Sequence, residues 1–299
     1  SNGDGVGDAC ECRPSVERPQ GTGVSDRREL VVDAADCPGD GDLASSPACR
    51  ATVISALAER DADVIRTRSD GLERTYTDES VALLLAAGRF VERVRFHDGD
   101  LAERARSDPL AAAHRATGRA GAVARVAGET GLAESAVRAA ERAAPTSDTG
   151  GNVPTAVGYE DALPAYVGPT LSRARVSRRR PEDPACETRD LETGATIRRY
   201  DLPDGPLYHL TPTAHGLDAD ATAALSAAYD VLANGSVDGG QRAAGRAVRR
   251  VAEVDDPTET LSAVLDRHTH GLGVLEHLFA DERVSAVVVS APVADSPVR

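Results

Sequence analysis

Between Pro145 and Pro154 the chain reads Pro-Thr-Ser-Asp-Thr-Gly-Gly-Asn-Val-Pro. Prolines at both ends, paired glycines and a run of small polar residues give this stretch neither helical nor strand periodicity. It is a linker by composition, so the patterned sequence on either side must bury its apolar residues separately. At 299 residues the chain has room for two such domains. A second irregular stretch surrounds Arg178-Arg179-Arg180-Pro181, and its basic run reads as solvated. The organisation expected is an irregular Gly/Asp-rich start (1–28), a first domain (29–144), a linker (145–190) and a second domain (191–299).

Inside the first domain, Leu30-Val31-Val32 reads as a short buried strand. Ser46-Pro47 supplies an N-cap followed by proline at the first helical position, opening a helix with Val53, Ile54, Leu57 and Ala58 on one face. Val64–Arg68 and Leu72–Thr77 predict a hairpin across Ser69-Asp70-Gly71. Asp78 is expected to cap a helix carrying Val81, Leu84, Leu85 and Val91. Short helices follow over 99–143, with Asp100 and Asp108-Pro109 as starts and Gly118 and Gly131 as breaks. In the second domain, Ala195–Leu202 and Leu207–Leu210 look extended. Asp218 caps a helix closed by Asn234-Gly235, and another runs from about Gly239 to Val254. Asp256-Pro257 with Glu259 has the form of a capping box, and Gly271 and Gly273 end the helix it opens. A short helix (Val274–Ala280) then leads to a nearly continuous apolar strand, Val284–Val289. The fold class expected is therefore α+β, a small Cys-bearing α+β domain followed by a mainly helical one.

Charge narrows the function. Acidic residues number 48 against 34 basic ones, for a net charge of -14. Every basic residue is Arg; Lys, Met and Trp are absent, and aromatics make up 3%. Acids spread along the chain without long blocks suit a protein bathed in concentrated salt, where screening removes most self-repulsion. The same charge argues against a chain built to grip nucleic acid, since phosphate contacts supply most of that affinity. Without Lys there is no Walker-A loop and no Schiff-base chemistry. No window approaches 18 consecutive apolar residues, so no membrane-spanning helix is expected. No leader peptide is visible, and a chain beginning without Met reads as a fragment or a processed product.

Four cysteines, Cys10, Cys12, Cys37 and Cys49, fall within the first fifty positions. As thiolates on a structural Zn²⁺ they would tie together a Gly-rich start, a strand end and a helix start. The spacing is not that of paired Cys-x-x-Cys motifs, so small buried hydrophobes, or disulfides in an exported chain, are alternatives. Residues Ala127–Val137 resemble a helix-turn-helix, with Gly131 in the turn and Val137 packing back. The would-be recognition helix carries Glu134, Arg138, Glu141 and Arg142, which sum to zero charge, so a plain helical hairpin competes with a DNA-binding regulator. A stripe of Arg242, Arg246, Arg249 and Arg250 is either solvated and paired with acids such as Glu253, or a face that docks an acidic partner. The histidines lie scattered, and no nucleophile or metalloprotease motif is present.

The segment Gly271-Leu272-Gly273-Val274-Leu275-Glu276-His277-Leu278-Phe279-Ala280-Asp281, with Val284 and Val287-Val288-Val289-Ser290-Ala291-Pro292, resembles the region before the ATPase core in the type II/IV secretion and type IV pilus assembly ATPases. The pattern there is Gly-x-Gly, Leu, paired Leu, Asp, then an apolar strand ending in Asn-x-Pro. Tyr208-His209-Leu210-Thr211-Pro212 resembles the Tyr-x-x-x-Pro entry to the same region. Asp36-Cys37-Pro38-Gly39-Asp40-Gly41-Asp42-Leu43 looks like the extra N-terminal domain of salt-adapted archaeal members. Ser290 stands in place of the usual Asn, and Ala286 where an acidic residue is common. The resemblance implies that strand 284–289 opens a PAS-like domain, incomplete here. It also implies an ATPase core, with its ATP and Mg²⁺, only in a longer parent; this chain alone is expected to be inactive. Its partners would be a membrane platform protein and the chain's own ATPase domain. The parent would be a homohexamer, cytoplasmic and peripheral at the inner face of the membrane. A third reading is a zinc-stabilised adaptor of a secretion or pilus complex.

Overall fold

The computed structural model describes residues 13–17, 28–143, 158–172, 176–177, 180–181, 185–203, 205–240, 242–253 and 255–288. The chain divides into two compact units. One comprises residues 1–69 and 73–166, the other residues 70–72 and 167–299. The class is α+β, as the alternation of helical and extended patterns predicts.

In the first unit the strands are Arg13–Glu17 (β1), Glu29–Asp33 (β2), Val64–Ser69 (β3) and Leu72–Tyr76 (β4), in the order β1-β2-β3-β4. β1 runs antiparallel to β2, with Arg13 opposite Asp33. β2 runs parallel to β3, with Leu30 opposite Ile65. A parallel pair needs a crossover, and Pro47–Leu57 (α1) supplies it. Its start is the one the sequence predicts: Ser46 Oγ accepts from Cys49 N at 3.2 Å, with proline at the helix start. The β3–β4 hairpin turns on Asp70-Gly71, both at positive φ (46° and 79°), as a two-residue turn requires.

Helices Asp78–Val94 (α2), Gly99–Ser107 (α3), Pro109–Thr117 (α4), Ala122–Glu129 (α5) and Leu132–Ala143 (α6) follow, then a single turn, Tyr159–Ala162 (α7). They share one core with the sheet, in which Leu30, Ile54, Ile65, Tyr76, Leu84 and Phe90 are buried. Asp78 does not cap α2. It is the helix's first residue, at φ 50°, and the N-cap is Thr77. Asp98 rather than Asp100 caps α3, its Oδ1 accepting from Leu101 N at 2.9 Å. Asp108 caps α4 as expected.

The second unit contains two short strands, Tyr166–Pro169 (β5) and Val176–Ser177 (β6), and an antiparallel sheet of Glu187–Asp190 (β7), Thr196–Leu202 (β8) and Gly205–Thr211 (β9). Ile197 lies opposite Arg189 on one side and Leu210 on the other. Helices Ala219–Ala233 (α8), Ala243–Val251 (α9), Thr258–Thr269 (α10) and Leu275–Phe279 (α11) follow. Leu225, Val248, Leu261 and Leu265 form their core.

The expected linker is therefore shorter than 145–190. Leu163 and Val167 are buried, and β7 is part of a sheet; proline and glycine mask this in the sequence. No capping box forms at Asp256, because its carboxylate accepts from Glu253 N instead. Residues 284–288 form no ladder: a strand needs a neighbour's backbone, and none lies beside them among the described residues.

Candidate functional site

Two of the segments singled out in the sequence, 208–212 and 271–281, meet at one buried carboxylate. Asp281 follows α11 and is 1% exposed. Arg189 of β7 grips it with both ends of its guanidinium fork, Nη1 donating to Oδ1 at 2.8 Å and Nη2 to Oδ2 at 2.6 Å. The Tyr208 hydroxyl of β9 donates to Oδ2 as well, and Arg283 N donates to Oδ1 at 3.1 Å. These donors, with the Arg189 guanidinium foremost, hold the Asp281 carboxyl down to about 2. Glu187 extends the cluster, pairing with Arg189 Nε at 3.1 Å and with Arg283. The sheet thus holds the end of α11 through a fixed ion pair and orients residues 284–288 as they leave it.

A second set of polar contacts reinforces this one. The β7–β8 turn at Thr193 accepts from Thr213 Oγ1 at 2.9 Å and from Arg267 Nη2 at 3.4 Å through its carbonyl. Its hydroxyl bonds His277 Nδ1 at 2.7 Å. His277 is 2% exposed, and burial, with Arg267 and His268 nearby, pushes its imidazole down to about 4. It is therefore a neutral hydrogen-bonding group at physiological pH. Glu276 Oε1 accepts from Leu272 N at 2.9 Å, which explains the glycine at 271: a Cβ there would meet Glu276 and, at 2.8 Å, the Arg267 carbonyl. Sequence reading identifies Tyr208 and Asp281 only as parts of the resemblance. It misses Arg189 and Thr193, which lie where a linker ends. The signal for Asp281 was its place at the end of the Gly271–Asp281 pattern.

The arginine stripe divides in two. Arg246 donates to the carbonyls of Asp238 and of Gly239 (2.9 Å), and Arg250 to the carbonyl of Ser236 at 2.8 Å. These two hold the loop after α8, and the expected pairing with Glu253 does not form. Arg242 and Arg249 are exposed and carry the stripe's outward charge.

The four-cysteine set is not assembled among the described residues. Cys37 is disulfide-bonded, and a disulfide sulfur offers Zn²⁺ no thiolate. Cys49 is a buried free thiol, and Cys10 and Cys12 lie outside the described residues. Nor do three or more His, Cys, Asp or Glu side chains come together in a way that could hold a metal ion among those residues. At the helix-turn-helix candidate, Gly131 does take the turn (φ 77°) between α5 and α6, but Val137 is 56% exposed and does not pack back. The pair is a helical hairpin anchored by Val126, Leu132 and Ala139.

No helix among the described residues is long and apolar enough to cross a membrane. Comparison with known proteins finds no matching family model, no similar curated protein and no similar solved structure.

Proposed function

We propose that this chain is the N-terminal docking and regulatory region of a secretion or type IV pilus assembly ATPase, a motor that couples ATP hydrolysis to protein export or pilin assembly. The observation that supports it is the Tyr208–Asp281 hydrogen bond. Two segments 73 residues apart, each resembling the same family region, share a buried site. A shared site is what one functional unit would require of them.

In this reading the Arg189–Asp281 pair transmits position. It fixes the end of α11, so that the apolar residues from Val284 onward enter the next domain in a set direction and become a strand once that domain supplies a partner. Arg242 and Arg249 face outward for an acidic surface, on the membrane platform protein or on the chain's own ATPase domain. The chain would work in the cytoplasm at the inner membrane face, within a homohexameric parent that carries the ATP and Mg²⁺ chemistry. A structural Zn²⁺ belongs to this reading only for the reduced chain, in which Cys37 regains a thiolate.

The decisive experiment is to read the DNA downstream of Arg299. An open frame continuing into Gly-x-x-x-x-Gly-Lys-Ser/Thr is expected, and a stop codon directly after Arg299 overturns the proposal. The purified chain should also show no ATP turnover above a vector control.

A further inference from the structure

In the first unit, the start of α3 and the end of α4 enclose a cleft of about 360 Å³ lined by Asp98, Asp100, Leu101, Arg104, Arg115 and Arg119. Five of its six lining residues are charged, and the sixth, Leu101, is 2% exposed. Its charges are unevenly committed. Asp98 caps α3 through Leu101 N and pairs with Arg119, so both partners of that pair are engaged. The Arg104 and Arg115 guanidiniums have neither a hydrogen bond nor an ion pair among the described residues. Arg115 still acts at a distance on Asp98, helping to hold its carboxyl below the usual carboxylate range, but it makes no ion pair with it. An anion seated in the cleft would gain two cationic partners that make no ion pair among the described residues.

The chemistry selects the anion. One guanidinium fork already satisfies a carboxylate, whereas two forks present enough donors for a phosphate dianion. The volume suits a small molecule, and the net charge of -14 disfavours a nucleic acid backbone. Asp100 is the cleft's remaining carboxylate without a partner, an acceptor for a ligand hydroxyl. We propose that this cleft binds a small phosphomonoester with a hydroxyl-bearing body. Arg104 and Arg115 hold the phosphate, and Asp100 accepts from a hydroxyl. The inference is independent of the secretion reading.

Isothermal titration of the full chain at one fixed KCl concentration tests it, with ribose 5-phosphate as the probe. Inorganic phosphate, ribose and a hexaglutamate peptide are the comparisons. Saturable one-to-one binding of ribose 5-phosphate is expected. Replacing Arg104→Ala together with Arg115→Ala should weaken it about a hundredfold, since each charge-assisted contact accounts for roughly tenfold or more. Asp100→Asn should bring ribose 5-phosphate down to the affinity of inorganic phosphate. Arg60→Ala, an exposed arginine outside the cleft, should leave binding unchanged. The three cleft residues are exposed, so an unchanged thermal midpoint will show that the variants fold. Absence of saturation overturns the proposal, as does equal binding by the double variant. Inorganic phosphate binding as tightly as the sugar phosphate would mean an adventitious anion only. Preferential binding of hexaglutamate would mean a protein-docking surface instead.

Discussion

At the scale of single residues, the chain's most consequential polar groups are those that resist titration. Asp281 stays ionised because Arg189 and Tyr208 donate to it, so its folded-state value lies below that of the unfolded chain. Such a group stabilises the fold above the unfolded value, near 4, and that contribution disappears as pH falls toward about 2. Asp281→Asn removes the charge but leaves Arg189 facing the site. The thermal midpoint at pH 7 should fall clearly more than for Asp201→Asn, which removes an exposed pair with Arg199 and a weak contact with the Cys186 thiol; an exposed pair of this kind contributes about 0–1 kcal/mol. Equal effects in thermal melts would show that the Asp281 pair is merely superficial. His277 gives a separate signature. Burial lowers its imidazole to about 4, so the unfolded chain takes up the proton first as pH drops below about 6.5. Stability should therefore fall between pH 6.5 and 4, by an amount of order 3 kcal/mol. His277→Asn, which offers Thr193 a similarly placed polar atom, should flatten that slope in urea titrations. An unchanged slope would place the acid sensitivity elsewhere.

At the scale of elements, local chemistry was legible and tertiary chemistry was not. Ser46, Asp108 and Asp218 each cap a helix as the sequence predicts, because an N-cap needs only a side chain and the amide three residues on. Asp256 looked equally good, but its carboxylate bonds an amide before the helix rather than inside it. Val284–Val288 has the composition of a strand but has no ladder partner among the described residues, and pairing is the part of a strand that its own residues cannot encode. Tyr208 and Asp281 were legible as parts of a pattern, whereas Arg189 reached the site from a stretch that composition marked as linker. Gly88 makes a related point about packing. Glycine inside a helix is ordinarily less stable than alanine by about 1 kcal/mol. In α2, however, a Cβ at Gly88 would lie 2.8 Å from the backbone carbon of Leu57, at the end of α1. Gly88→Ala should therefore destabilise rather than stabilise, by roughly 1–3 kcal/mol, because the backbone of α1 has to move. A stabilised variant in chemical denaturation would mean that the helices approach less closely.

At the scale of the whole molecule, charge works in two opposed directions, and salt separates them. The net charge of -14 is spread over both units, so at low ionic strength the folded chain repels itself more than the expanded one does. Against this stand ion pairs that salt would weaken, such as Arg66 with Glu29 and Glu73, and Arg189 with Asp281. The Debye length is about 10 Å at 0.1 M salt and about 3 Å at 1 M. Repulsion between distant carboxylates acts over the longer of these distances, whereas the pairs lie in contact. Glu73 is 3% exposed and the Asp281 side chain fully buried, so ions reach these pairs least. Added KCl should therefore remove more repulsion than attraction. The thermal midpoint is expected to rise as KCl increases from about 0.1 to about 1 M, and most steeply at the low end, where the screening length still spans neighbouring surface carboxylates. Charge neutralisation gives the control. Replacing exposed acids that make no pair, such as Glu282→Gln and Asp220→Asn, should raise the midpoint at low salt and leave it unchanged at high salt. A midpoint that falls with KCl would mean that the arginine pairs, not the surplus of acids, set the electrostatic balance of the fold.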